Sequence, residues 1–201
     1  MKTLRWLLVA QLAAGSSLCA RAGEPTAQIR ATTDKILVLL SDPALKTDAR
    51  KSERRQLIRS ELDRRVDWAA VARSSLGRYW PKRTRAEQDE FIGLFSRLLA
   101  ETCLDKLDSN GADPAKIDYL GEKIIDDYAS VKTQITTKDQ TVHPVEYRLQ
   151  KAGKDWRIYD VLIEGVSLVK NYRDQFDEIL GKTSYEKLVA DLRAKIPRET
   201  P

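Results

Sequence analysis

Histidine and cysteine are the scarcest reactive side chains in this chain. Its 201 residues hold one histidine, His143, and two cysteines, Cys19 and Cys103. So few soft ligands exclude a zinc or copper centre, which draws several His and Cys residues together. A Ser-His-Asp triad would have to use His143, which stands beside Pro144 and reads as an exposed residue at a strand entry. Glycine is also sparse, at nine residues, and none of them forms a phosphate-cradling loop or a nucleophile elbow. Long apolar runs are also missing. The stretch from Leu7 to Ala14 falls short of the ~20 residues that cross a bilayer.

That short stretch has another reading. Lys2 and Arg5 precede it and Ala20-Arg21-Ala22 follows, the pattern of a cleaved secretory signal over residues 1–22. Leu18 before Cys19 stands where lipoprotein processing wants a small residue. Removal of Lys2, Arg5 and Arg21 lowers the basic count from 35 to 32 against 30 acids, so the net charge drops from +5 to near +2. The apparent basicity thus belongs partly to the leader, and an exported chain of this balance has no call for a nucleic-acid partner. Cys103 would then be alone, without an intrachain disulfide, and residues 23–201 must stand on an apolar core. No linker, repeat or low-complexity tract divides them, so they read as a single domain.

What the chain does have is a patterned apolar framework. Helical spacing runs through 26–40, 52–65 and 67–76, and the capping box Thr84-x-x-Glu87 opens a long helix to about Leu107. Alternation then marks strands at 117–124, 128–136, 142–151 and 156–163. Helices follow at about 167–180 and after a second capping box, Thr183-x-x-Glu186. Helices, an antiparallel meander and helices again predict an α+β domain with a four-stranded sheet and six to seven helices.

The most informative segment is Trp156 to Phe176, WRIYDVLIEGVSLVKNYRDQF. Its first half alternates with apolar residues on both sides, Trp156, Ile158 and Leu162 against Tyr159, Val161 and Ile163, so the strand is covered on both faces. Past Gly165 the spacing becomes helical, with Val166, Leu168, Val169, Tyr172 and Phe176. Asp160 is the only charge in the centre of the strand. It reads either as a general base of raised pKa or as a structural acid that pairs with Arg148 or Arg157 or accepts backbone hydrogen bonds. Cys103, in phase with Phe95 and Leu99, reads as a small buried hydrophobe. Tyr79-Trp80 reads as an anchor for the loop between two helices.

Four segments, Val66–Trp80 (VDWAAVARSSLGRYW), Thr84–Leu99 (TRAEQDEFIGLFSRLL), Pro144–Leu149 (PVEYRL) and Trp156–Phe176, resemble the MlaC family, also called the toluene-tolerance auxiliary family. The likeness extends over about residues 26–196. It implies an extended NTF2-like fold enclosing an apolar pocket, and a soluble periplasmic carrier that takes phospholipid as cargo without a cofactor. It further implies a monomer that docks transiently on an outer-membrane Mla lipoprotein complex and an inner-membrane Mla transporter complex. By position, the resemblance points to Tyr147, Tyr159, Val161, Ile163, Val166 and Val169 as pocket wall, with Leu94 and Leu98 of the long helix and Val71 of the third as further candidates. The same residues also fit an ordinary core. Cys103 stands where family members carry a larger aromatic, often Tyr, which leaves extra room there. Two rival readings remain: an NTF2-like enzyme on a small apolar substrate with Asp160 or Tyr159 as base, and an interaction protein whose apolar block is only core.

Overall fold

The computed structural model describes residues 23–108 and 114–196. The signal reading of residues 1–22 lies outside the described residues, as does the Ser109-Asn110-Gly111 break. Six α-helices are present among the described residues: α1 (Glu24–Ser41), α2 (Lys51–Arg65), α3 (Trp68–Leu76), α4 (Arg85–Asp108), α5 (Leu168–Lys182) and α6 (Tyr185–Lys195). The sheet consists of β1 (Pro114–Ile125), β2 (Tyr128–Thr137), β3 (Val142–Ala152), β4 (Asp155–Ile163) and β5 (Val166–Ser167). It is antiparallel throughout, in the order β1-β2-β3-β4-β5.

The α+β architecture is the one the sequence predicts, with one strand more than the expected four. Glu164 and Gly165 both adopt positive φ, 53° and 81°, and fold the chain back on β4. Val166 and Ser167 therefore pair with Ile163 and Leu162 before the helix begins. Val166 thus belongs to a strand, although its spacing reads as helical. Ser167 caps α5 by accepting from the Lys170 amide.

Local chemistry explains the other boundaries. At α4 the predicted capping box forms: Thr84 N–H donates to Glu87 Oε2 at 2.6 Å, and Glu87 N–H to Thr84 Oγ1 at 3.3 Å. At α6 the cap sits one residue later than expected. Ser184 accepts the Lys187 amide, while Thr183 donates its hydroxyl to the Ile179 carbonyl at the end of α5. The start of α1 is held by the sheet, since Glu122 of β1 accepts both the amide and the hydroxyl of Thr26. Arg54 and Arg55 of α2 clamp Asp108 at the end of α4 at 2.6 Å each.

Pairing also corrects the expected alternation in β4. Ile158 opposes Leu149 and Asp160 opposes Arg148, so Tyr159 is an extra residue at a β-bulge. The bulge moves Val161 and Ile163 to the face that carries Trp156 and Ile158. It sends Tyr159 to the other face, where its ring meets Tyr128 edge-on at 5.9 Å.

Candidate functional site

Apolar burial in this domain falls into three clusters rather than one. The first joins α3, α4, α5 and α6 around Phe91, Phe95, Leu76 and Phe176. A second lies between α1 and the sheet, with Ile29, Val131, Leu149, Trp156 and Ile158. The third ties α1, α2 and the end of α4 through Leu40, Ile58 and Leu104. A domain of this size ordinarily builds one contiguous core. Here half-buried residues pack against each cluster, Leu94 and Leu98 on the first, Tyr119, Tyr147 and Val161 on the second and Ile36 on the third, and Val66 packs against both the first and the second.

Tyr147 is one of these half-buried residues. Burial among protein atoms pushes its phenol well above the ordinary range, with Tyr119 and Cys103 close enough to add to the rise. Yet Tyr147 keeps accessible surface. Its ring is desolvated by the surrounding protein without being fully covered. Cys103 repeats the pattern: it is half-buried rather than fully buried as expected, and burial pushes its thiol upward. It sits on α4, which packs chiefly on α2, α3 and α6 and stands away from the sheet. Tyr119 bonds Thr33 of α1 across the same interior, O to O, at 2.5 Å.

Exposure along the inner sheet face rises toward one end. Ile158 is buried, Val161 is half-buried, Ile163 is 50% exposed and Val166 is 63% exposed. Ile163 and Val166 are thus apolar side chains left uncovered at one end of this face, the kind of surface that rims a ligand site. Tyr147, Val161, Ile163 and Val166 therefore share one sheet face, from interior to rim. Leu94 and Leu98 lie half-buried on the flank of the helical cluster. Val71 and Val169, each 4% exposed, are packed inside that cluster, and Tyr159 is on the opposite sheet face. Sequence reasoning missed Tyr119, because Gly121 and the register shift beside it break the alternation of β1.

Asp160 is committed to structure. Its Oδ1 accepts the Val161 and Val169 amides at 2.9 and 3.1 Å, and its Oδ2 accepts the Ser167 hydroxyl at 2.7 Å. Arg148 lies 3.6 Å away. The acid fixes the bulge and the start of α5, in the structural role anticipated for it. His143 is half-buried and its Nδ1 lies 3.0 Å from Glu164 Oε1. Tyr79 and Trp80 rest on the helical cluster. Among the described residues no group of His, Cys, Asp and Glu is placed to hold a metal ion, and no helix is long and apolar enough to cross a membrane.

Residues 30–194, nearly the whole described domain, match the family model of the MlaC protein. The chain belongs to the MlaC family. One relative of this MlaC chain is the toluene tolerance protein ttg2D of Pseudomonas putida, 29% identical over 123 residues. That match takes in 58% of the chain and spans about half the length of the relative, 54%. A solved structure of the same fold is the phospholipid-binding protein of Ralstonia solanacearum, determined in complex with a phospholipid. It superposes with a TM-score of 0.74 over 86% of this chain and 97% of its own, at 23% identity. The arrangement of one antiparallel sheet and its helices is thus common to both.

Proposed function

We propose that the protein is a periplasmic phospholipid carrier. It holds acyl chains between the inner sheet face and helices α1 and α4, and leaves the head group at the rim formed by Ile163 and Val166. It works as a monomer, performs no chemistry, and passes lipid between an outer-membrane and an inner-membrane Mla complex.

The observation that carries this reading is the divided core. Tyr147 and Val161 of the sheet and Leu94 and Leu98 of α4 belong to two different apolar clusters and each stays only half-buried, which leaves apolar surface for a ligand to cover. Family membership and the phospholipid held by a relative of the same fold support a lipid as the missing partner. Energetics support it too. Each buried CH₂ is worth ~0.8 kcal/mol, so two tails need a transfer term on the order of 20 kcal/mol to leave a bilayer. Only an enclosed apolar site supplies that. A catalytic reading has weak candidates for its base: the Asp160 carboxylate is occupied by the Ser167 hydroxyl and the Val169 amide, and burial pushes the Tyr159 phenol up, away from ionisation, on the opposite sheet face.

Native mass spectrometry of the mature protein purified from a bacterial periplasm tests the cargo. Phospholipid at near-unit occupancy is the expected result. A bare chain that stays empty after incubation with vesicles would sink the carrier reading and favour an interaction protein. Shuttling is tested by loading the protein with labelled phospholipid and adding membranes that bear either Mla complex. Transfer should require the complexes, and equal transfer to plain vesicles would count against docked exchange.

A further inference from the structure

Next to the mouth, on the other side of Val166, lies a crevice of about 620 Å³. It is bounded by Arg148 of β3, Tyr159 and Asp160 of β4, the Gly165–Ser167 turn, Ser74 of α3 and the first turns of α5. Three cations, Arg148, Lys170 and Arg173, and two carboxylates, Asp160 and Asp174, line it.

The charges are not equally free. Both oxygens of Asp160 are engaged by the protein's own donors. Asp174 takes the Lys170 ammonium at 2.6 Å. Arg173 donates its Nε to the Ser74 carbonyl at 2.7 Å, so both its Nη groups remain to be used. Arg148 approaches Glu146 and Asp160 only to 3.7 and 3.6 Å, beyond hydrogen-bonding distance. Two guanidinium groups with unspent donors therefore stand in a cleft whose lining carries one net positive charge. A guanidinium is the side chain best shaped for bidentate contact with phosphate oxygens. A phosphodiester bears one negative charge, which matches.

Continuity identifies the source of that phosphate. Val166 belongs both to the crevice wall and to the apolar row that ends at the mouth. Arg148, Tyr159 and Asp160 lie on the sheet face opposite that row, and the two-residue strand β5 is the edge between the faces, so a lipid whose tails run along Val161, Ile163 and Val166 brings its glycerol to this edge and its phosphate across it. We propose that the crevice is the seat of the cargo's phosphodiester, with Arg148 and Arg173 as its donors. This assignment rests on the carrier reading. It makes the protein selective for phospholipid over neutral diacylglycerol, while the rest of the head group faces water.

The test uses the mature chain, with fluorescent phosphatidylglycerol and diacylglycerol of identical tails as probes. The unmodified protein should hold phosphatidylglycerol at least about tenfold more tightly than diacylglycerol, the scale of a charge-assisted contact. Arg173→Gln should reduce that ratio several-fold, and the pair Arg148→Gln and Arg173→Gln should bring it to about one, with diacylglycerol binding unchanged. Unchanged diacylglycerol binding also reports that the fold is intact. A ratio near one in the unmodified protein, or a ratio that survives both substitutions, would overturn the assignment. Tight capture of inorganic phosphate by lipid-free protein, without preference for the phospholipid, would overturn it in favour of a free anion. Failure to bind either lipid would remove the carrier reading, and this one with it.

Discussion

Three valines on one short segment separate a lipid cavity from an ordinary core. Val169 is 4% exposed inside the helical cluster, Val161 is half-buried on the inner sheet face, and Val166 is 63% exposed at the mouth. Each is replaced in turn by glutamate. At Val169 the carboxylate has no partner and no water, so it costs about 3–5 kcal/mol, whether it is buried charged or stays protonated. For a domain of this length each 1 kcal/mol moves Tm by about 2–4 °C, so Val169→Glu should lower it by about 6–20 °C. Val166→Glu is a surface change and should stay within about 0.5 kcal/mol. Val161→Glu is the decisive variant. With the cavity empty its carboxylate can stay hydrated, so Tm should fall by less than about half the Val169 loss. With acyl chains in place that hydration is lost, and phospholipid occupancy should fall more than about tenfold. Circular dichroism on delipidated protein gives Tm, and mass spectrometry gives occupancy. If Val161→Glu unfolds the delipidated protein as severely as Val169→Glu does, the space beside Val161 is filled core and the argument fails.

Other consequences are simpler to test. Asp160→Ala strands the Val169 amide and the Ser167 hydroxyl and should cost about 3–5 kcal/mol in urea unfolding, whereas Asp160→Asn keeps an acceptor and should cost less than half as much. Equal losses would show that the carboxylate is not a cap. Gly77 sits at φ 54° and ψ −125°, and a Cβ there would meet the Arg173 side chain at 3.4 Å, so Gly77→Ala should destabilise by about 1–3 kcal/mol. A neutral result would mean that the turn relaxes freely. Burial tends to raise Asp108, but hydrogen bonds from Arg55 and Arg54 outweigh it and hold its carboxyl below the ordinary 3.8. Its contribution is therefore present above that value and is lost as pH falls through the lower folded value. Asp108→Asn should flatten the acid limb of the stability curve below about pH 4, and an unaltered limb would assign it to other carboxylates.

Much of the architecture was legible because period and punctuation agreed. The capping box at Thr84, the strand alternation of β2 and the Gly165 turn each declare a boundary in local chemistry, and each boundary formed. What stayed hidden depends on pairing. The bulge at Tyr159 leaves the letters of β4 unchanged yet reassigns Val161, Ile163 and Tyr159 between faces. The two residues of β5 are too few for any period to register. Separating cavity wall from core was harder still. Val161 and Val169 are the same residue type in one apolar block, yet Val169 is buried in the helical cluster and Val161 is half-buried against the sheet cluster. The cationic crevice draws on α3, β3, β4 and α5, so its side chains come from positions as far apart as Ser74 and Asp174.

The division of the core into three clusters also bears on compressibility. Hydrostatic pressure favours whichever state occupies less volume, and internal voids are the main volume that unfolding removes. If the protein is a carrier whose apolar surfaces meet only around a ligand, its empty form should yield to pressure more readily than its helix and strand content suggests. On the carrier reading, acyl chains would take up that volume, so loading should make the protein stiffer as well as more stable. The empty form would then be the mechanically soft one, ready to deform around whatever tail is offered.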